Sequence, residues 1–208
     1  STQKWTLFPY TTLFRSRLPL AAWQRLDPPR LRNLLRWWLA AAGAATPSAA
    51  ILAEILALPS AAADRSARVA WGGWQLRRFQ DHLHLLADAE LTPLTVARDW
   101  PPGTPPPDLG AWRLVAGPGD GSAEQPALQL PDGLPLRLAP ARGGERLALN
   151  GCHQRVAELW RAAGVPPWRR RQWPLVYAGD DLVAVPGVPV ADPWRDQPLT
   201  TWHLEPAS

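Results

Sequence analysis

The chain has 208 residues, enough for one or two domains, and its 46% apolar content is sufficient for a packed core. Its 22 basic and 18 acidic residues leave a net charge of +4, and a single cysteine excludes an internal disulfide framework and suits a reducing compartment. No apolar run is long enough to span a bilayer, and 25 prolines, about twice ordinary usage, require long loops.

The chain opens on Ser1 and holds no methionine, and is expected to be a fragment. Thr6 to Ser16 reads like one frame of a sequencing adapter, and the sole lysine, Lys4, lies in the same leader. Residues 1–16 are therefore set aside from fold and function. Leu18, Leu20, Trp23 and Leu26 suggest a short helix or the end of one. Asp27-Pro28 starts the next one, with an acidic N-cap and proline at the first helical position. That helix is expected to run to about Ala42, with Leu31, Leu34, Leu35, Trp38 and Leu39 on its apolar face and Arg32 and Arg36 one turn apart elsewhere. Its tryptophans are read as core residues. Gly43 ends it, and Thr46-Pro47 is expected to start another helix by the same device, with Leu52, Ile55 and Leu56 as its stripe. The short connection predicts an antiparallel helix pair.

Arg68 to Trp71 and Trp74 to Phe79 read as strands around a Gly72-Gly73 hairpin turn, with Leu83 to Leu86 as a third strand. Arg77 and Arg78 point to opposite faces of such a strand, so at most one faces a ligand. His82 and His84 share a face but lack further metal ligands, which favours a structural or edge role. The stretch from 87 to 125 is rich in Pro, Gly and Asp and reads as a linker or long loops, with Trp112 to Val115 as a strand that opens a second domain. Leu128 to Leu130, Leu134 to Leu138 and Arg146 to Leu149 read as short strands, with Asp132-Gly133 as a hairpin turn between the first two. Cys152 reads as a small buried or edge residue.

The most informative stretch runs from Leu159 to Gly187. Val156, Leu159 and Trp160 repeat at helical spacing. Gly164 stands where a left-handed cap is cheapest, and Pro166 and Pro167 forbid continuation of the helix. Arg169, Arg170 and Arg171 follow, flanked by Trp168 and Trp173. After Pro174, Leu175 to Tyr177, Gly179-Asp180 and Leu182 to Val185 read as strand, turn and returning strand. Thr200 to Leu204 is a closing strand anchored by Trp202. Seven arginines and two acids lie between Arg142 and Arg171, against one arginine and five acids from Gln172 onward. Basic charge is thus concentrated beside this stretch, as a nucleic-acid patch requires.

Val165-Pro166-Pro167-Trp168, Arg170, Pro174-Leu175 and Val185-Pro186-Gly187, in this order and preceded by Gly143-Gly144-Glu145-Arg146, resemble the C-terminal domain of bacterial tRNA(Ile)-lysidine synthetases (synthases). Arg169, Arg171 and Gln172 depart from that family's Leu, Asp and Arg, and Ala157 and Glu158 stand where it tends to place lysines. Leu35-Arg36-Trp37-Trp38-Leu39 followed by Pro47-Ser48, and Arg77-Arg78-Phe79 followed by Leu83-His84-Leu85, resemble its middle domain.

The resemblance implies an α+β protein. A leader over 1–16 is followed by a small helical tRNA-binding middle domain with a β-hairpin over 17–86. A Pro/Gly-rich linker with loops occupies 87–125, and a β-rich C-terminal tRNA-binding domain with one or two helices occupies 126–208. The family uses ATP and magnesium to activate the wobble cytidine of a minor isoleucine tRNA for attack by lysine. Its Ser-Gly-Gly-x-Asp-Ser phosphate loop is absent here, and Gly72-Gly73 and Gly143-Gly144 lack the flanking residues. ATP and magnesium are therefore expected in a missing N-terminal catalytic domain, no cofactor or metal in this fragment, and no ligase activity from it alone.

The expected RNA contacts are Arg170, supported by Arg169 and Arg171, with Arg142, Arg146 and Arg155 nearby. Pro166, Pro167, Trp168, Pro174 and Gly187 form the structural motif that holds them. Expected partners are an isoleucine tRNA and the missing catalytic domain in the cytoplasm, with no membrane; a homodimer is left open. The competing reading is a protein-interaction or structural module whose arginines only solvate a loop.

Overall fold

The computed structural model describes residues 17–60, 67–119 and 125–207; the adapter-like leader lies outside the described residues. The chain divides into two compact units, Ser1–Glu90 and Leu91–Ser208. The described residues form four α-helices and thirteen strands, all paired antiparallel, which is the expected α+β class. No described helix is long and apolar enough to cross a membrane.

The first unit starts with β1 (Arg17–Pro19) and α1 (Leu20–Gln24), where the sequence suggested one short helix. Strand β1 is extended because it pairs with β4 (His82–Ala87), placing Leu18 opposite Leu83. Helix α2 (Pro28–Ala41) starts as expected, with the Asp27 carboxylate accepting from the Arg30 amide at 2.9 Å. Its buried residues are Leu31, Leu35, Trp38 and Leu39. Trp37 departs from the core expectation: it is 56% exposed, because the next residue, Trp38, takes the inward direction. Helix α3 (Ala49–Ala57) starts later than expected. Ser48, not Thr46, is the cap, its hydroxyl accepting from the Ile51 amide at 3.3 Å.

The glycine hairpin forms as read. Strands β2 (Arg68–Trp71) and β3 (Trp74–Phe79) put Trp71 opposite Trp74, and Gly72 and Gly73 both take the positive φ that a two-residue turn of this kind demands. With β4 and β1 the hairpin grows into a four-stranded sheet, ordered β1-β4-β3-β2. Its inward residues Val69, Leu76, Leu83 and Leu85 pack with the helix residues into one core. His84 is buried and His82 half-buried, 6.3 Å apart by ring centroid.

The proline-rich stretch is mostly exposed but is anchored to the core of the second unit by Trp100, Leu109 and Trp112. Strand β5 (Arg98–Trp100) was not expected; it adds to the edge of β8 (Leu136–Pro140), and Trp100 and Leu109 are buried. Strand β6 (Trp112–Ala116) agrees with the sequence. Strand β7 (Ala127–Pro131) does not form a hairpin with β8. It pairs with β13 (Leu199–Pro206), and Asp132 donates its amide to the Pro198 carbonyl and accepts from the Thr200 hydroxyl at 2.6 Å. Gly133 takes positive φ, so the local turn is real; it redirects the chain to a different sheet.

The three sheets of this unit are β12-β11-β8-β5, β6-β13-β7 and the two-stranded β10-β9, where β9 is Arg146–Leu149, β10 is Cys152–Arg155, β11 is Pro174–Ala178 and β12 is Asp181–Ala184. Strand β10 was also missed. Cys152 lies on it, exposed, at the edge of the pair.

Unfolding experiments can check both units. Asp27→Ala removes the α2 cap and is expected to cost about 0.5–2 kcal/mol in denaturant unfolding. Trp173, fully buried in the second unit, is expected to cost about 3–5 kcal/mol when cut to alanine, read as a lower urea midpoint for that unit.

Candidate nucleic-acid interface

Helix α4 (Val156–Ala162) begins where the Val156 amide donates to the Glu145 carbonyl at 3.0 Å. It buries Val156 and Trp160. It stops as the sequence required: Gly164 takes φ 68°, and the Val165 amide reaches back to the Trp160 carbonyl at 2.8 Å. This is the six-residue closure of a helix end by a left-handed glycine. Pro166 is buried, Pro167 exposed, and Trp168 buried, leading into a single 3-10 turn over Arg169–Arg171.

The turn stands on three indoles. Trp173 lies edge-on to Trp112 (centroids 6.0 Å apart) and to Trp160 (6.4 Å). Trp160 in turn donates from Nε1 to the Pro186 carbonyl at 3.1 Å. That carbonyl belongs to a four-residue turn in which Pro186 and Gly187 are central, Gly187 has φ 73°, and the Val188 amide donates to the Val185 carbonyl at 3.1 Å. Proline followed by a positive-φ glycine is the requirement of a type II turn, which explains the Val-Pro-Gly motif. Pro174 sits at the first position of β11, where a missing amide does least harm to the ladder.

The three consecutive arginines do not share a role. Arg169 is only 7% exposed; its guanidinium lies 5.0 Å from the Trp112 ring centroid and donates from Nη1 to Gln172 Oε1 at 3.1 Å. It points into the core, where cation and ring face attract strongly and the planar head can lie flat on the indole. Gln172 is buried as its partner. Arg170 is half-buried, and both Nε (3.0 Å) and Nη2 (2.7 Å) donate to the Val165 carbonyl. Burial first, and the neighbouring Arg161 guanidinium second, hold it below the usual arginine value; it stays protonated throughout the physiological range. Arg171 is exposed, and its carbonyl accepts from the Leu94 amide at 3.0 Å. The fork of Arg170 therefore braces the stop of α4, with Arg161 from the last helical turn beside it.

A second group surrounds the Gly-Gly-Glu-Arg motif. Gly143 and Gly144 take φ 97° and 88°, and the Glu145 carboxylate accepts from the amides of Arg142 and Gly143. The loop is thus filled by its own anion. Gly72 and Gly73 are used in a hairpin turn, so neither glycine pair is arranged as a phosphate cradle. Among the described residues no cluster of three or more His, Cys, Asp or Glu side chains could hold a metal.

Past the loop, Arg146 on β9 stands directly opposite Arg155 on β10, and Ala148 opposite His153. Alternation puts these four on one face and Leu147, which is fully buried, on the other. Arg146, Arg155 and His153 are exposed. The hairpin turn is tied down by Asp192, which accepts from the Gly151 amide at 2.8 Å; that bond first, and Arg195 among lesser causes, hold the carboxyl below its usual range.

Arg137 on β8 lies over the Tyr177 ring at 5.3 Å. Burial and then Glu145 push the Tyr177 hydroxyl up, while Arg137 and Arg142 pull it down, so both arginines lie near it. The structure thus brings Arg146 and Arg155 together, sets Arg142 and Arg137 both near Tyr177, and turns Arg169 inward. Sequence reasoning missed Glu145, Gln172 and Arg137. Of these only Glu145 carried a signal, as the carboxylate that follows two glycines.

This framework has counterparts in known proteins. The family models described as the TilS substrate binding domain and the TilS substrate C-terminal domain match residues 18–84 and 136–205. The tRNA(Ile)-lysidine synthase of Alkalilimnicola ehrlichii is 33% identical over 187 residues, covering 87% of this chain and 41% of the relative. That of Legionella pneumophila strain Paris is 30% identical over 183 residues, covering 86% and 41%. That of Chromobacterium violaceum is 37% identical over 172 residues, covering 80% and 38%. The chain therefore spans about 40% of the length of the curated relatives it matches. With both family models matched in order, and relatives at these identities along most of its length, the chain belongs to the tRNA(Ile)-lysidine synthase family.

Proposed function

We propose that this chain holds the body of an isoleucine tRNA for a lysidine synthase, and that the β9–β10 hairpin is the principal phosphate contact of its second unit. The observation that carries the reading is the cross-strand pair Arg146–Arg155. Like charges directly opposite each other on a sheet destabilise it. The nearest acid in sequence, Glu145, is already occupied by backbone amides, and neither arginine has an ion-pair partner among the described residues. A phosphate at this face offsets the repulsion, and two planar forks suit it.

In this reading Arg142 and Arg171 add further exposed charge to the second unit. Arg170 contributes the charge it shares with Arg161 while bracing the turn, and Arg169 supports from within. Recognition of this kind reads backbone and shape, since the deep groove of an RNA duplex is too narrow for side chains. The ATP- and magnesium-dependent chemistry on the wobble cytidine, with lysine as nucleophile, is assigned to the part of the whole protein outside this chain. The setting is the cytoplasm.

The test separates binding from folding. Arg155→Ala is expected to leave the melting temperature unchanged or slightly higher, because it relieves the like-charge pair. The same change is expected to weaken binding to a minor isoleucine tRNA and to lower the slope of log K against log salt by about 0.7–0.9. Filter binding across a salt series with the whole chain measures this. Unchanged affinity and slope in both Arg155→Ala and Arg146→Ala would sink the assignment of the hairpin.

A further inference from the structure

Helix α2 carries an aromatic residue that the fold does not use. Its core face is complete with Leu31, Leu35, Trp38 and Leu39. Trp37 projects to the opposite side and, at 56%, is the most exposed of the large apolar side chains among the described residues. Arg36 precedes it, Asn33 lies one turn before it, and Arg32 lies one turn before Arg36; all three are exposed. The helix contains no acid. Its Arg30 leans 3.6 Å from the cap residue Asp27, but neither Arg32 nor Arg36 has a hydrogen bond or ion pair among the described residues. Two unpaired arginines one turn apart repel, and an open indole in water gains nothing for folding. Neither the arginine pair nor the exposed part of the indole adds to the stability of the helix, so both are open to a ligand.

We propose that Trp37 is a stacking platform for an unpaired base of the bound RNA, with Arg36 and Arg32 holding the phosphates beside it. Charge selects the class of occupant: a face with two unpaired arginines and no acid suits a polyanion. The indole selects the part of it. Every base has a π face on which an aromatic ring stacks without reading sequence, and an arginine alongside adds charge and a second flat surface. A paired base inside a duplex is closed to a side chain on a helix, so a loop or bulged nucleotide is the fitting target. This rests on the RNA-binding reading above, and extends it to the first unit by a non-ionic contact.

Stacking and phosphate contacts leave different traces in salt. With the whole chain and a minor isoleucine tRNA, Trp37→Ala is expected to weaken binding about 5- to 150-fold, the range for one stacked base, with the salt slope unchanged. Trp37→Phe, which keeps a ring face, should recover most of the loss. Arg36→Ala should lower the slope by about 0.7 instead. A blunt RNA duplex should bind wild type and Trp37→Ala equally well. The melting temperature of Trp37→Ala should match wild type, since the residue is exposed.

If wild type binds tRNA and Trp37→Ala binds it equally tightly, this inference is overturned and the hairpin assignment stands. It is overturned as well if Trp37→Ala weakens duplex and tRNA alike, or if only a protein partner loses affinity. If wild type binds no tRNA, both readings fall.

Discussion

The second unit depends on the edge contacts that Trp173 makes with Trp112 and Trp160. Each of these indoles comes from a different element: the start of β6, the last turns of α4, and the chain just before β11. Trp160 extends the set to the Val185-Pro186-Gly187 turn through its hydrogen bond, and Arg169 covers the Trp112 ring. Large rings meeting edge-to-face bury much apolar area and fix angle as well as distance. A helix, a basic turn and two sheets are thereby held in one register. The double proline and the left-handed Gly164 only tell the chain where to leave the helix; the indoles decide where it goes next.

Within each unit the arginines differ in what they meet. Arg169, Arg170, Arg77 and Arg78 donate to acceptors of the protein itself: Gln172, the Val165 carbonyl, Gln75 and the Pro59 carbonyl. Arg170 and Arg77 each give two N–H groups to one oxygen, and Arg169 and Arg78 each donate from Nη1, so these donors are engaged within the fold. Arg32, Arg36, Arg146 and Arg155 have no such acceptor among the described residues, and each is set close to another arginine. The surface charge that remains after internal needs are met is what a polyanion can find. Part of it lies on a hairpin in the second unit and on a helix face in the first. Both are regular elements, on which side chains keep fixed spacing and little backbone entropy is lost on binding.

Local rules made much of the fold legible from residue order alone. The Asp27 cap, the Gly72-Gly73 and Gly179-Asp180 turns, the Gly164 stop and the Val-Pro-Gly turn each depend on backbone conformations set by a few neighbouring residues. The sequence therefore determined where helices α2 and α4 begin or end and where two hairpins fold back. Its pattern of prolines, tryptophans and arginines was also enough for the family resemblance.

What the sequence could not determine is pairing at long range and the direction of individual side chains. Asp132-Gly133 has the composition of a hairpin turn, yet β7 finds its partner in β13, near the end of the chain. Strand β5 exists only because β8 offers an open edge in a stretch whose prolines argue for loop. Adjacent residues of one type part company in the same way: Trp38 goes to the core and Trp37 to water, Arg169 to an indole face and Arg171 to solvent. Tertiary structure alone decided these, because what draws a strand or a guanidinium to its place is a complementary edge, ring or carbonyl supplied by a distant part of the chain, and local residue order carries no record of that surface.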